Sequence, residues 1–302
     1  MKCSTYDFIH PEDRKARMHL ESVPGFKQLA KTLMKIYDER VFQGVNMAQK
    51  IRISDKQLPE IYRYLKLPVE RLGIIEPELY LEMNPAPNAY TYGDTKIFIT
   101  VTSGLMEYLD EDEIQAVFAH ECGHIACRHT LYGTMARYLI NYGLGSLGLP
   151  GKAMYPAVLA LLYWYRRSEF SADRAAAVVM EDHKPLLETL IRLSGGPKSV
   201  TQNVNIELYA QQAEAFNDEL DRSWWSKVLM GMQVMMMSHP FSAVRAREIQ
   251  HWCTQDEFKT ICMGEESSAA DSSQEYKTCG SCGKSVDKTA KFCRFCGESL
   301  SL

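Results

Sequence analysis

Asp110-Glu111-Asp112-Glu113-Ile114-Gln115-Ala116-Val117-Phe118-Ala119-His120-Glu121-Cys122-Gly123-His124 is the stretch from which the rest of the chain is read. Asp110 and Glu113 have the spacing of a capping box, and four acids in a row suit the positive end of a helix. The helix they open is expected to run through Ala119 and His124 to His129. Within it, His120 and His124 are four apart and share one face, so both imidazoles reach a single metal ion. Glu121 lies beside them, placed to accept a proton from a water acidified by that metal.

A catalytic metal of this kind needs a third protein ligand. A third histidine six residues after His124 is absent, because that residue is Thr130, and His129 follows Arg128 at the wrong spacing. Ser168-Glu169-Phe170-Ser171-Ala172-Asp173 offers a glutamate instead. Glu169 and Asp173 share a helix face, so Glu169 can bind the metal while Asp173 accepts a hydrogen bond from a ligand histidine. Spacing alone leaves a second reading equally open, an exposed acidic pair facing Arg166, Arg167 and Arg174.

Working outward, Pro24 to Gln43 has apolar residues at helical spacing, and Ser54 is placed to cap a helix through Leu65. Leu79 to Met83 and Ile97 to Val101 read as strands, with Asn88 to Tyr92 an edge strand between them. Further helix is expected from about Ser168, Ser199, Ser223 and Ser242. The expected class is α+β: a mostly helical domain over residues 1–263 with a small β-sheet, its first 75 residues helical. Residues 264–276 hold four acids and no base and read as a flexible linker.

Beyond the linker, residues 277–302 carry Cys279-Gly280-Ser281-Cys282 and Cys293-Arg294-Phe295-Cys296. Four thiolates in paired CxxC turns close a tetrahedral structural zinc site, and so short a segment needs metal to hold its fold. The remaining five of nine cysteines are scattered. That count is odd and unpatterned, which argues against a disulfide scaffold; with no apolar leader in the first 17 residues, a cytoplasmic setting is expected. The 302-residue chain has a net charge of −4, which gives no case for nucleic-acid binding. Residues 277–302 resemble a short zinc-ribbon module, and the small basic excess of this ribbon fits protein docking better.

The sequence resembles the HtpX and CAAX-prenyl-protease type of zinc metallopeptidase from about Leu79 to Ile249. The matching blocks are Asn88-Ala89-Tyr90, Gly104-Leu105 with Ala119 to His124, Glu169 to Asp173, and His239-Pro240 with Arg245. The resemblance implies a gluzincin core with Glu169 as third zinc ligand. It implies that His239 hydrogen-bonds the oxyanion and that Arg245 positions the site or its carboxylates. It also implies that the Asn88-Ala89-Tyr90 edge binds extended peptide by β-augmentation.

Tyr138 to Tyr165 contains one charge, Lys152. Its two ends flank metal ligands, so they lie on one side of any membrane, and each limb is too short for a span of about 20 residues. A short helical hairpin is expected, with contact at a membrane interface as one of its roles. Met230, Met232, Met235, Met236 and Met237 read as core, with a permissive substrate groove the alternative. The whole reads as a zinc endopeptidase acting on peptide or unfolded protein in quality control or processing, with one catalytic and one structural zinc. The competing reading is a non-enzymatic, chaperone-like protein that docks through hairpin and ribbon.

Overall fold

The computed structural model describes residues 4–36, 39–143, 151–222, 242–263, 276–278, 280, 285–287 and 300. Four helices lead: α1 (Thr5–Phe8), α2 (Pro11–Ser22), α3 (Phe26–Ile36) and α4 (Glu39–Gln49). Then come β1 (Ile51–Ile53), α5 (Pro59–Leu72), β2 (Glu78–Glu82), β3 (Ala89–Gly93), β4 (Ile97–Thr102) and α6 (Ser103–Tyr108). The second half is helical: α7 (Glu111–Ala126), α8 (Thr130–Tyr142), α9 (Gly151–Met180), α10 (Lys184–Gly195), α11 (Lys198–Thr201), α12 (Ile206–Arg222), α13 (Ser242–Cys253) and α14 (Asp256–Met263). In the tail, β5 (Tyr276–Thr278) and β6 (Ser285–Asp287) pair antiparallel. A mostly helical α+β class is what the pattern predicts.

The sheet has the order β1-β2-β4-β3, with β2 and β4 parallel and the other pairs antiparallel. β3 is therefore an edge strand, as its prolines foretell. Its pleat divides the sheet's two faces. Tyr92 packs with Tyr80, Phe98 and Phe42 on one side, while the Thr91 hydroxyl reaches the Glu121 carboxylate on the other.

Helices α7 and α9 form the centre. Ala116, Phe118, Ala119 and Cys122 of α7 and Ala175 to Val179 of α9 are buried in one apolar cluster with Ile99 and Val101 of the sheet. A second cluster joins α2 and α3 to α8 and the first half of α9 around Trp164.

Several boundaries depart from the sequence reading. α7 stops at Ala126 rather than His129, because Arg128 takes a left-handed conformation (φ 57°) that ends the helix and turns His129 back toward His124. Ser54 does not cap a helix; it closes a tight turn with Gln57, and α5 starts at Pro59, where a proline lacks no needed donor. The run read as helical from Pro24 to Gln43 is helical over Phe26–Ile36 and continues past Gln43 in Glu39–Gln49, α3 and α4. The helix expected from Ser168 begins at Gly151, and only the four-residue α11 forms near Ser199.

The apolar stretch from Tyr138 is two helices packed on each other, α8 and the start of α9, as a hairpin requires. No helix among the described residues is long and apolar enough to cross a membrane. The Ser223 helix, the methionine cluster, His239, linker residues 264–275 and the four ribbon cysteines lie outside the described residues.

Candidate metal centre

Glycine at 123 is what lets the two central helices meet. A Cβ there would sit 2.7 Å from the Ala175 Cβ and 3.1 Å from the Ala172 Cα, so the α7 backbone rests directly on α9. That close approach brings the acidic face of α9 to the histidine face of α7. His120 Nε2 lies 3.6 Å from Glu169 Oε2, and His124 Nε2 lies 3.4 Å from Glu169 Oε1. One donor atom from each of His120, His124 and Glu169 falls within 4.8 Å of the others. A tetrahedral ion with bonds of about 2.0–2.2 Å separates its ligand atoms by roughly 3.4 Å. The donor set therefore fits a zinc-like cation in both chemistry and spacing.

Asp173 stands behind His120, with its Oδ1 3.0 Å from His120 Nδ1. Arg245 of α13 donates from Nε and Nη2 to the two Asp173 oxygens at 2.8 and 2.6 Å, and its Nη1 lies 3.0 Å from Glu169 Oε2. All four side chains are buried. Burial alone would raise the Asp173 pKa, but the Arg245 charge and the hydrogen bonds from Arg245 and His120 hold it below the usual carboxylate range. Burial likewise disfavours charge on His120, yet the bonds to Asp173 and Glu169 outweigh it and lift its pKa to about 9. Burial lowers the pKa of His124, with the hydrogen bond and charge of Glu169 pulling the other way. The exposed-pair reading of Glu169 and Asp173 is displaced by this geometry.

Sequence reasoning missed what stands behind His124. His124 Nδ1 is 3.0 Å from Nδ1 of His129, and His129 Nε2 is 2.9 Å from Asp13 Oδ2 on α2. The Ser171 hydroxyl also donates to Asp13 Oδ2 at 2.6 Å, and the Trp164 indole donates to Oδ1 at 2.9 Å. Burial pushes the Asp13 carboxyl up, but His129 and the Ser171 hydroxyl bring it below its ordinary value. No local pattern reveals this link, since Asp13 and His129 are 116 residues apart.

Glu121 is buried at the floor of a cleft of about 490 Å³. The Thr91 hydroxyl donates to Glu121 Oε2 at 2.6 Å and fixes its rotation. Asn88 and Ala89 line one side of the cleft, Leu186, Leu190 and Leu193 of α10 the other, and Arg245 one end. The Thr102 amide donates to the Asn88 carbonyl. In an antiparallel ladder that pairing alternates, so the main chains of Asn88 and Tyr90 face β4 while those of Ala89 and Thr91 face outward. The Tyr90 side chain is on the far face, with its hydroxyl donating to Glu82 and accepting from Lys50. Of the three expected edge residues, Ala89 is the one whose main chain faces the cleft side.

Residues 56–253 match the family model of peptidase family M48. Plastoglobule-localized metallopeptidase 48, chloroplastic, of Arabidopsis thaliana is 34% identical over 260 residues, 84% of this chain and 74% of that protein. A protease HtpX homolog of Pelotomaculum thermopropionicum is 26% identical over 198 residues, 56% of this chain and 70% of its own length. One from Helicobacter pylori is 28% identical over 204 residues, 57% and 66% respectively. No solved structure matches the chain.

Proposed function

We propose, on the premise that the chain belongs to peptidase family M48 and is a metalloprotease, that it is a zinc-dependent endopeptidase with Glu121 as general base. His120, His124 and Glu169 would hold the zinc, which when bound polarises a carbonyl and acidifies a water. Glu121 takes a proton from the attacking water at its carboxylate and delivers it to the leaving amine nitrogen. Thr91 holds that carboxylate in one orientation. Arg245 keeps Glu169 and Asp173 ionised and aligned, and Asp173 fixes the His120 ring. Ala89 on the β3 edge borders the cleft in which an extended peptide would lie, and the leucines of α10 offer an apolar wall. His239 is assigned to the oxyanion on the strength of the family resemblance.

The observation that carries this reading is the meeting of one donor atom each from His120, His124 and Glu169 within 4.8 Å, beside a buried, oriented Glu121. Membership of a peptidase family displaces the non-enzymatic alternative. Unfolded or processed proteins are the proposed substrates, because an edge strand grips main chain and is tolerant of side chains. Residues 277–302 are proposed as a tethered module built on Cys279, Cys282, Cys293 and Cys296 around a second, structural zinc, serving protein docking.

Chelation tests both metals at once. Removing zinc should abolish cleavage of unfolded casein, and adding it back should restore cleavage. Zinc content should be two per chain and fall by one in Cys282→Ser with cleavage retained. Undiminished cleavage after complete zinc removal contradicts the reading.

Contact with a membrane surface is a second reading favoured by one observation. Tyr155, Leu159 and Tyr163 repeat every four residues on α9 and are exposed, with exposed Tyr142 on α8. Aromatic side chains of this kind sit well at a lipid interface, and a relative is named for its plastoglobule location. The protein would then work at the membrane surface from the cytoplasmic side. Flotation with lipid vesicles should be lost on Tyr155→Ser with Leu159→Ser; flotation unchanged in that variant contradicts this reading.

A further inference from the structure

We propose that Asp13 and His129 are positioning residues of the metal centre, so that the N-terminal helix α2 forms part of it. The inference rests on the reading of His120, His124 and Glu169 as ligands. It concerns which nitrogen of His124 carries the proton.

The contact between His124 and His129 joins two Nδ1 atoms 3.0 Å apart. One of them must donate, and nothing local decides which. Both ends of the chain of bonds fix it, Asp13 at one and the metal-facing Nε2 of His124 at the other. An indole N–H only donates, and an ionised carboxylate only accepts. Asp13, receiving the Trp164 indole on Oδ1 and the Ser171 hydroxyl on Oδ2, is the acceptor for His129 Nε2 as well. A His124 that holds a cation through Nε2 carries its proton on Nδ1, so His129 Nδ1 accepts it and His129 Nε2 donates to Asp13. His124 then donates from Nδ1, and its lone pair is left on Nε2, the atom that faces Glu169.

The two ligand histidines thus reach the same tautomer by different routes. His120 is fixed directly by Asp173 of α9. His124 is fixed through an intervening imidazole by Asp13, which is 1% exposed and lies outside the segment that matches the family model. Ser171, two residues after Glu169, ties the same carboxylate to the ligand helix, so one carboxylate aligns a ligand histidine and braces the helix that carries the ligand glutamate.

The test compares the full chain with Asp13→Asn, His129→Gln, Trp164→Phe and Ser171→Ala. Zinc affinity is read by competition with a chromophoric chelator, and His124→Ala identifies the zinc that belongs to this site. Partners of a ligand histidine are worth about ten- to a hundred-fold in metal affinity. Asp13→Asn and His129→Gln should show that loss, with a shifted visible spectrum of the cobalt-substituted site and a lower kcat at unchanged KM. Trp164→Phe and Ser171→Ala, which each remove one bond to Asp13, should show a smaller loss. They carry the test should Asp13→Asn fail to fold. Wild-type zinc affinity and cobalt spectrum in folded Asp13→Asn, or in both milder variants, overturn the proposal. Failure of the peptidase reading looks different: Glu121→Gln would cleave like wild type while these affinities kept their order.

Discussion

Gly123 is the residue on which the site's geometry turns, because it has no side chain. Gly123→Ala would press a methyl group to 2.7 Å from the Ala175 Cβ, inside the van der Waals limit, and the atoms it meets belong to a helix that cannot yield locally. Overpacking of this kind costs about 1–3 kcal/mol, and moving α9 away from α7 separates Glu169 from both histidines. Urea denaturation should show the loss, and zinc affinity should fall with it. Arg245 is the opposite case. Removing it takes the guanidinium away from two buried carboxylates, which costs about 3–5 kcal/mol. Arg245→Met should lose stability on that scale, and Arg245→Lys should recover only part, since one ammonium cannot bridge Asp173 and Glu169 as a planar guanidinium does. His120, Glu121 and His124 were legible from sequence because a helix turn converts spacing directly into a shared face. Asp13, His129 and Thr91 were not, because their contacts depend on how α2, β3 and the Arg128 turn fold against α7.

At the scale of elements, α2 has a pH dependence of its own. His10 is its N-cap, with Nδ1 accepting from the Glu12 amide. Burial and the nearby Arg174 charge lower the His10 pKa to about 4; Glu248, Asp13 and Glu12 pull the other way. A group that takes its proton more readily unfolded than folded favours the fold above its unfolded pKa near 6.5. That contribution is lost as pH falls from there toward 4. Between pH 7 and 5 the wild type should lose about 2 kcal/mol more than His10→Asn, which keeps a capping oxygen but does not titrate. Equal losses in urea titrations at the two pH values would contradict this. The strands β2 and β4 and the edge strand β3 were readable from alternation and flanking prolines. The α7 terminus was not, because nothing in Cys127-Arg128-His129 announces a left-handed residue. The missed start of α9 has a different cause: its first half is uniformly apolar, so periodicity could not separate a continuous helix from a hairpin limb.

For the whole molecule, composition gave the class but hid the division of labour. A net charge of −4 averages over a body, an acidic tether and a cysteine-bearing tail. Among the described residues, the β3 edge of the sheet borders the candidate metal centre. The N-terminal helices, outside the segment that matches the family, pack on α8 and α9 around Trp164 and reach the centre through Asp13. The central claim is that this arrangement cleaves peptide bonds with Glu121 as the base. Its most direct measurement is the rate of casein cleavage by Glu121→Gln beside its zinc content. The account predicts cleavage reduced by about a hundred-fold or more, with zinc retained at the wild-type level. Wild-type cleavage by a zinc-loaded Glu121→Gln would contradict it.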